Sequence, residues 1–242
     1  MLGFITKSEY FSWIDAFSGM RESYASASIN NLKDIQDHYV ISRLHSCEGL
    51  KILEIGGGDC RVLRSFSKAN ECWNAEKYEG LGLGPKRVIT TPGVKNIFAY
   101  VGEFSGDLPS AFFDIVFSVS VVEHVVDEDL EAFFGDIARV LKPGGRTFHA
   151  IDMYVFDQNR WDEGSASYSR RRLQKYLSVP ALSKNQLKFV EPPVVGDSPG
   201  FSCEYASNSD REMLAWNRVV PKLAPVRSIA QSVSLKAEWE RV

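Results

Sequence analysis

From residue 51 to about 151 the chain alternates short apolar runs with stretches whose apolar residues recur every three or four positions. That pattern predicts strands joined by helices. Residues 51–55 (Lys-Ile-Leu-Glu-Ile) read as a first strand, with a helix over about 60–69 behind it. Residues 78–83 and 96–101 read as the second and third strands. Phe113-Asp114-Ile115-Val116-Phe117-Ser118 reads as the fourth, apolar enough to be covered on both faces. Within 128–141, Leu130, Phe133, Phe134, Ile137, Val140 and Leu141 fall on one side of a helix. Lys142-Pro143-Gly144-Gly145 stops it with a proline and two glycines. Residues 146–151 supply a fifth strand. The alternation predicts an α/β fold with a doubly wound, mostly parallel sheet.

The flanks are less regular. Tyr10, Trp13, Ile14 and Phe17 stand at helical spacing, and Leu32, Ile35, Tyr39 and Val40 repeat it. Residues 1–48 are therefore expected to form an N-terminal helical cap. Beyond the fifth strand, 168–177 reads as a helix and 186–190 as a strand ended by Glu191-Pro192-Pro193. Residues 209–220 read as another helix and 229–239 as a closing strand. Residues 49–242 then form one domain, with an insertion over about 193–226.

Composition narrows the class. The 242 residues are 44% apolar, and 28 basic against 31 acidic side chains leave a net charge of 28 − 31 = −3. A chain of that size buries a sizeable core. Mild acidity argues against a dedicated nucleic-acid binder, and the one dense basic run, Arg170-Arg171-Arg172, is expected to be a solvated helix face. Cysteines 47, 60, 72 and 203 show neither C-x-x-C nor metal-ligand spacing, so reduced thiols in a cytoplasmic protein are the simplest account. No metal centre is expected, since no histidine has an i, i+4 partner. The first residues, with Lys7 and Glu9 among them, have no sustained apolar core, so neither a signal peptide nor a membrane span is expected.

The most informative chemistry lies in Leu53-Glu54-Ile55-Gly56-Gly57-Gly58-Asp59-Cys60-Arg61. A strand runs into a glycine turn that lets backbone approach a ligand, and a helix opening behind it would aim N–H groups at that ligand. A dinucleotide site would need a third glycine where Arg61 stands, so a pyrophosphate-binding NAD site is disfavoured. The segment LEIGGGD instead resembles the first motif of class I S-adenosylmethionine (SAM) dependent methyltransferases. Three further segments match that family in order. They are Gly102-Glu103-Phe104 with Asp107-Leu108-Pro109, then Phe113 to Val125 ending in Glu123-His124-Val125, then Leu141-Lys142-Pro143-Gly144-Gly145.

The resemblance covers about 50–153 and implies a seven-stranded, Rossmann-like sheet that binds SAM. It implies cofactor contacts from Glu54, Ile55, Gly56, Gly57 and Gly58. It also implies Glu103 on the adenine amino group with Phe104 against the base, and Ser118, Val119 and Ser120 at the end of the fourth strand. One departure stands out. The family carries an acid at the end of strand 2 to bridge the ribose hydroxyls, and the register of 78–83 puts Gly82 there, beside Leu83. Glu79 is three residues away, on the opposite face of a regular strand.

Candidate catalytic residues are His124, His149 and Asp152. For both histidines, a core or structural role is at least as good a reading. Phe148-His149-Ala150-Ile151-Asp152 resembles a sub-group of methyltransferases from glycan biosynthesis, which implies O-methylation of a sugar or related metabolite. The expected partner is thus a small molecule, with no nucleic acid and no membrane. A non-catalytic binding module with a degraded ribose site, and less favourably an NAD-dependent oxidoreductase, remain as alternatives.

Overall fold

The computed structural model describes residues 1–17, 31–80, 84–156, 163–196, 199–208, 218 and 221–242. Fourteen elements matter here: β1 (Leu2–Phe4), α1 (Lys7–Phe17), α2 (Leu32–Leu44), β2 (Lys51–Ile55), β3 (Glu71–Ala75), β4 (Val94–Ile97), β5 (Phe113–Val119), α3 (Leu130–Val140), β6 (Leu141–Phe156), α4 (Glu163–Leu177), α5 (Val179–Leu182), β7 (Leu187–Phe189), α6 (Ala224–Arg227) and β8 (Ala230–Arg241). The sheet runs β4-β3-β2-β5-β6-β8, and both β1 and β7 pair with the far edge of β8. The β4-β3-β2-β5-β6 pairings are parallel, whereas β8 runs antiparallel to β6, β1 and β7.

Alternation along each central strand sends side chains to two cores. Leu53, Val116 and Ile151 join Phe133, Phe134, Ile137 and Leu173 of α3 and α4. Ile52, Phe117 and Phe148 join Ile35, Tyr39 and Leu44 of α2 on the other face. Each layer removes a full set of large apolar side chains from water, the main favourable term in folding.

Five sequence expectations need correction. No α-helix follows β2: Cys60 takes a positive φ of 50°, and only a 3-10 turn, Leu63–Phe66, forms within 60–69. The second strand is Glu71–Ala75 rather than 78–83. Its buried Asn74 breaks the apolar signal, and pairing on both edges rather than local pattern makes it a strand. The third is Val94–Ile97, earlier than 96–101. The fifth extends to Phe156, because β8 pairs it over eleven residues from Arg146 to Phe156. An eighth strand, β1, opens the segment expected as a helical cap, and three residues are too short for a periodicity to register. The helix expected over 209–220 falls almost wholly outside the described residues, as do Gly82 and Leu83.

Candidate functional site

The parallel strands β2, β3, β5 and β6 present their carboxyl ends together, where open α/β sheets bind ligands. The glycine turn leaves β2 there. Gly56 has φ +67°, and a Cβ on it would lie 2.6 Å from Val121 Cγ2. At Gly57 a Cβ would meet Glu54 Cδ at 2.6 Å and Asn74 Oδ1 at 2.9 Å. At Gly58 (φ +57°) a Cβ would only touch Pro85, at 3.8 Å, so the backbone there is less crowded than at its two neighbours. Two glycines thus admit close packing beneath the turn, and the third takes a left-handed conformation that favours glycine.

Buried polar groups support this turn. Asn74 Oδ1 accepts from the Gly57 N–H at 3.0 Å, while its Nδ2 donates to Asn96 Oδ1 at 3.2 Å. The Tyr78 hydroxyl lies 3.1 Å from the Gly58 carbonyl. Glu54 is enclosed, its Oε2 has no hydrogen-bond partner, and burial pushes its carboxyl up to about 8, with Arg61 pulling the other way. Ile55 is buried at the strand end. Arg61, at the position a third glycine would take, makes a bidentate pair with Asp37 of α2, 2.7 Å on each arm. The turn is therefore fastened to the N-terminal helix, and no helix macrodipole points at it. That chemistry suits a ligand without a pyrophosphate.

With β3 ending at Ala75, the acidic residue at the strand end is Glu76, half-buried, its Oε1 accepting from the Tyr78 N–H at 2.9 Å. Gly82, expected at a strand end, lies outside the described residues. Glu79 is exposed and accepts from the Tyr100 hydroxyl at 3.0 Å. Glu103 is also exposed and pairs with Lys77 Nζ at 2.8 Å, which holds its carboxyl below the usual range. Phe104, 51% exposed, sits at φ +55° in a turn fixed by Asp136, whose Oδ2 accepts from the Gly102 and Phe104 N–H groups.

A second polar cluster lies at the ends of β5 and β6. Asp152 Oδ1 accepts from Gln36 Nε2 of α2 at 2.6 Å and lies 2.6 Å from Ser120 Oγ. Gln36 Nε2 also reaches Ser234 Oγ at 3.2 Å. Ser120 adopts φ +52°, which turns the chain out of β5 beside half-buried Val119. Ser118 and His149 are elsewhere. Both have no exposure, and the imidazole bridges Ser118 Oγ (2.7 Å) and Thr147 Oγ1 (2.8 Å) against Phe134 and Trp239. Burial lowers His149 to about 3. Enclosed in the core with both nitrogens engaged, it cannot touch a substrate, and Ser118 serves it rather than a ligand.

The turn Val122–His124 follows, and α4 clamps it. Arg172, 3% exposed, donates to the Val122 and Val125 carbonyls and to Asp127, while Arg171 pairs with Asp127 at 2.9 Å. The basic run is thus partly a buried brace, not only a solvated face. His124 is 68% exposed at its side chain. Sequence reasoning missed Asn74, Glu76, Gln36 and Asp37. The acid at 76 could have been found from the spacing between β2 and the next polar run, whereas Gln36 and Asp37 had no local signal.

A three-layer α/β sheet with a glycine turn at its carboxyl edge is the class of protein that fold and site define. Residues 53–149 match the family model described as a methyltransferase domain. The chain is 29% identical over 143 residues to a sterol 24-C-methyltransferase of Aspergillus fumigatus, covering 57% of this chain and 36% of that protein. It is 25% identical over 247 residues to the Yarrowia lipolytica sterol 24-C-methyltransferase, covering 96% and 56%. The chain thus spans roughly a third to just over half of these relatives. A solved geranyl diphosphate C-methyltransferase from Streptomyces coelicolor superposes with a TM-score of 0.54 over 92% of this chain and 88% of that one, at 12% identity, a likeness of fold. Residues 53–149 are thus similar to the methyltransferase domain of SAM-dependent enzymes, whose cofactor is S-adenosylmethionine. Among the described residues no helix is long and apolar enough to cross a membrane, and no group of metal-ligating side chains occurs.

Proposed function

We propose that this chain transfers a methyl group from SAM to a hydroxyl oxygen of a small polar acceptor of the sugar class. The donor side fits the residues present: a glycine turn with left-handed Gly56 and Gly58, an enclosed and unpartnered Glu54 oxygen beneath it, and an acid at the end of β3. Glu54 with Gly56–Gly58 would hold the methionyl portion, Glu76 the ribose hydroxyls, and Glu103 with Phe104 the adenine. When bound, the cofactor supplies a methyl group on a sulfonium, which needs an acceptor held in line more than it needs an acid.

The observation that carries the acceptor class is the Asp152 cluster. Its Oδ1 is committed to Gln36 and Ser120, while Oδ2 makes no hydrogen bond among the described residues. A fixed carboxylate with one free oxygen can orient a hydroxyl and take its proton. Calorimetry with SAM and S-adenosylhomocysteine (SAH) tests the cofactor half. Methyl-labelled SAM incubated with monosaccharides, a prenyl diphosphate and a sterol then tests the acceptor half. Heat with label on a sugar oxygen is expected. Absence of heat overturns the cofactor reading, heat without transfer favours a non-catalytic module, and label on a prenyl or sterol carbon overturns the hydroxyl acceptor.

A further inference from the structure

The glycine turn after β2 and the polar cluster around Asp152 meet at one short piece of backbone, the segment that leaves β5. β2 and β5 are parallel neighbours with Ile55 opposite Ser118, so their exits lie side by side. Val121 makes the first contact: a Cβ on Gly56 would lie 2.6 Å from its Cγ2, so the valine fills the space that glycine leaves. One residue earlier, Ser120 Oγ lies 2.6 Å from Asp152 Oδ1 and 2.9 Å from Gln36 Oε1. Residues 120 and 121 therefore bear on both the glycine turn and the Asp152 cluster. Where they sit depends on what fixes the segment behind them.

That segment has little of its own to hold it. It is a three-residue 3-10 turn, Val122–His124, closed by the His124 N–H on the Val121 carbonyl at 2.9 Å and the Val125 N–H on the Val122 carbonyl at 3.2 Å. Ser120 at its entry takes φ +52°, a conformation that a side chain disfavours. The holding comes from α4. Arg172, enclosed by the fold, donates through Nη2 to the Val122 carbonyl at 2.7 Å. Through Nη1 it donates to the Val125 carbonyl at 2.9 Å and to Asp127 Oδ1 at 2.7 Å. Its Nε and Nη2 also reach the Tyr176 hydroxyl, at 3.2 and 3.0 Å. A planar guanidinium presents its donors in a rigid fork and fixes all these acceptors at once, which a single ammonium on a flexible stem cannot do.

We propose that Arg172 is a positioning residue for cofactor binding: it sets the place of Val121 against the glycine turn, and of Ser120 beside Asp152, from a helix that touches neither ligand. The role deepens the SAM-binding reading above and rests on it. Each link is a short contact, from Nη2 to the Val122 carbonyl, across one peptide to Val121, and from the Val121 methyl to Gly56. A brace that slackens lets Val121 move away from Gly56, and the backbone that would line the methionyl portion of the cofactor loses its support.

The test needs no acceptor. SAH affinity is measured by calorimetry well below each variant's unfolding midpoint, so that a loss of global stability alone leaves it unchanged. Arg172→Lys is expected to weaken SAH binding about tenfold. Arg171→Ala removes the exposed partner of the same Asp127 and should change it less than about twofold. Val121→Ala should weaken it as well, and the double variant with Arg172→Lys should bind about as well as the weaker single variant, because both act on one contact. Losses that multiply in the double variant, or an Arg172→Lys affinity within about twofold of wild type, overturn the proposal. If Arg172→Lys does not fold, Asp127→Ala, which takes the carboxylate from Nη1, replaces it in the same cycle with an expected loss of about threefold. Absence of heat with wild type sinks the cofactor reading, and the Gly56 and Ser120 amide resonances of the unliganded protein then decide. They are expected to shift in Arg172→Lys and to hold in Arg171→Ala; resonances unmoved in both overturn the brace.

Discussion

His149→Leu tests whether this histidine is core or catalytic, and the two readings predict different pH dependence. The folded state holds the imidazole neutral, with its protonation pushed down from 6.5 to about 3 by burial, while the unfolded chain protonates near 6.5. Because the folded value is depressed, the stability tied to this group is complete above pH 6.5 and falls as pH drops towards 3. At about 1.36 kcal/mol per pH unit, some 2.7 kcal/mol is lost between pH 6.5 and 4.5. The leucine variant has no such loss, but strands the Ser118 and Thr147 hydroxyls, costing roughly 1–3 kcal/mol each. In urea unfolding the variant is therefore expected to be about 2–6 kcal/mol less stable at pH 7.5. That deficit should shrink by about 2.7 kcal/mol at pH 4.5. Parallel stability curves across this range would mean that His149 titrates as an accessible group, and would return it to the list of catalytic candidates.

Three further outcomes separate the roles assigned above. Glu76→Ala should weaken SAM binding by one to two decades, roughly 1.5–3 kcal/mol, while Glu79→Ala changes it less than about twofold, read by calorimetry. Equal losses would move the ribose contact back to the 78–83 segment. Arg61→Ala leaves Asp37, 2% exposed at its side chain, charged and alone, and should cost about 3–5 kcal/mol by urea midpoint. A loss below about 1 kcal/mol would show a solvent-screened pair. Glu54 is raised from 4.5 to about 8, so near pH 7 the apo protein holds it protonated, and a cationic ligand over the turn favours the ionised form. Calorimetry in buffers of different ionisation enthalpy should then show proton release on SAM binding near pH 7, absent in Glu54→Gln. No buffer dependence in wild type would rule out coupling between Glu54 and the cofactor.

The strands that were legible are those buried on both faces. β2 and β5 are mostly apolar, interrupted by Glu54 in one and by Asp114 and Ser118 in the other, and the glycines behind β2 mark its end, so their bounds followed from pattern within a residue. β3 hid for a physical reason. Its sequence Glu-Cys-Trp-Asn-Ala carries a buried asparagine that serves the glycine turn instead of the core, so function erased the period-2 signal that would have revealed the strand. The neighbouring Gly80–Gly84 run then looked like a strand end and drew the expected ribose position to Gly82. Long-range pairing, not local composition, fixed both β3 and the extension of β6.

The acceptor side was less legible still, because it is assembled across long sequence separations. Gln36 and Asp37 are consecutive in α2, and adjacent helical residues point about 100° apart. One side chain accordingly reaches Asp152 and Ser234 on β6 and β8, while the other locks Arg61 behind the glycine turn. A helix readable only as amphipathic packing thus touches both the segment behind the glycine turn and the Asp152 cluster. Any ligand that shifts the glycine turn must act on Asp37, and through α2 on the residue that orients Asp152. The glycine turn and the Asp152 cluster are therefore joined by a single helix. The polar pair on that element, rather than its apolar face, is where a substitution would uncouple them.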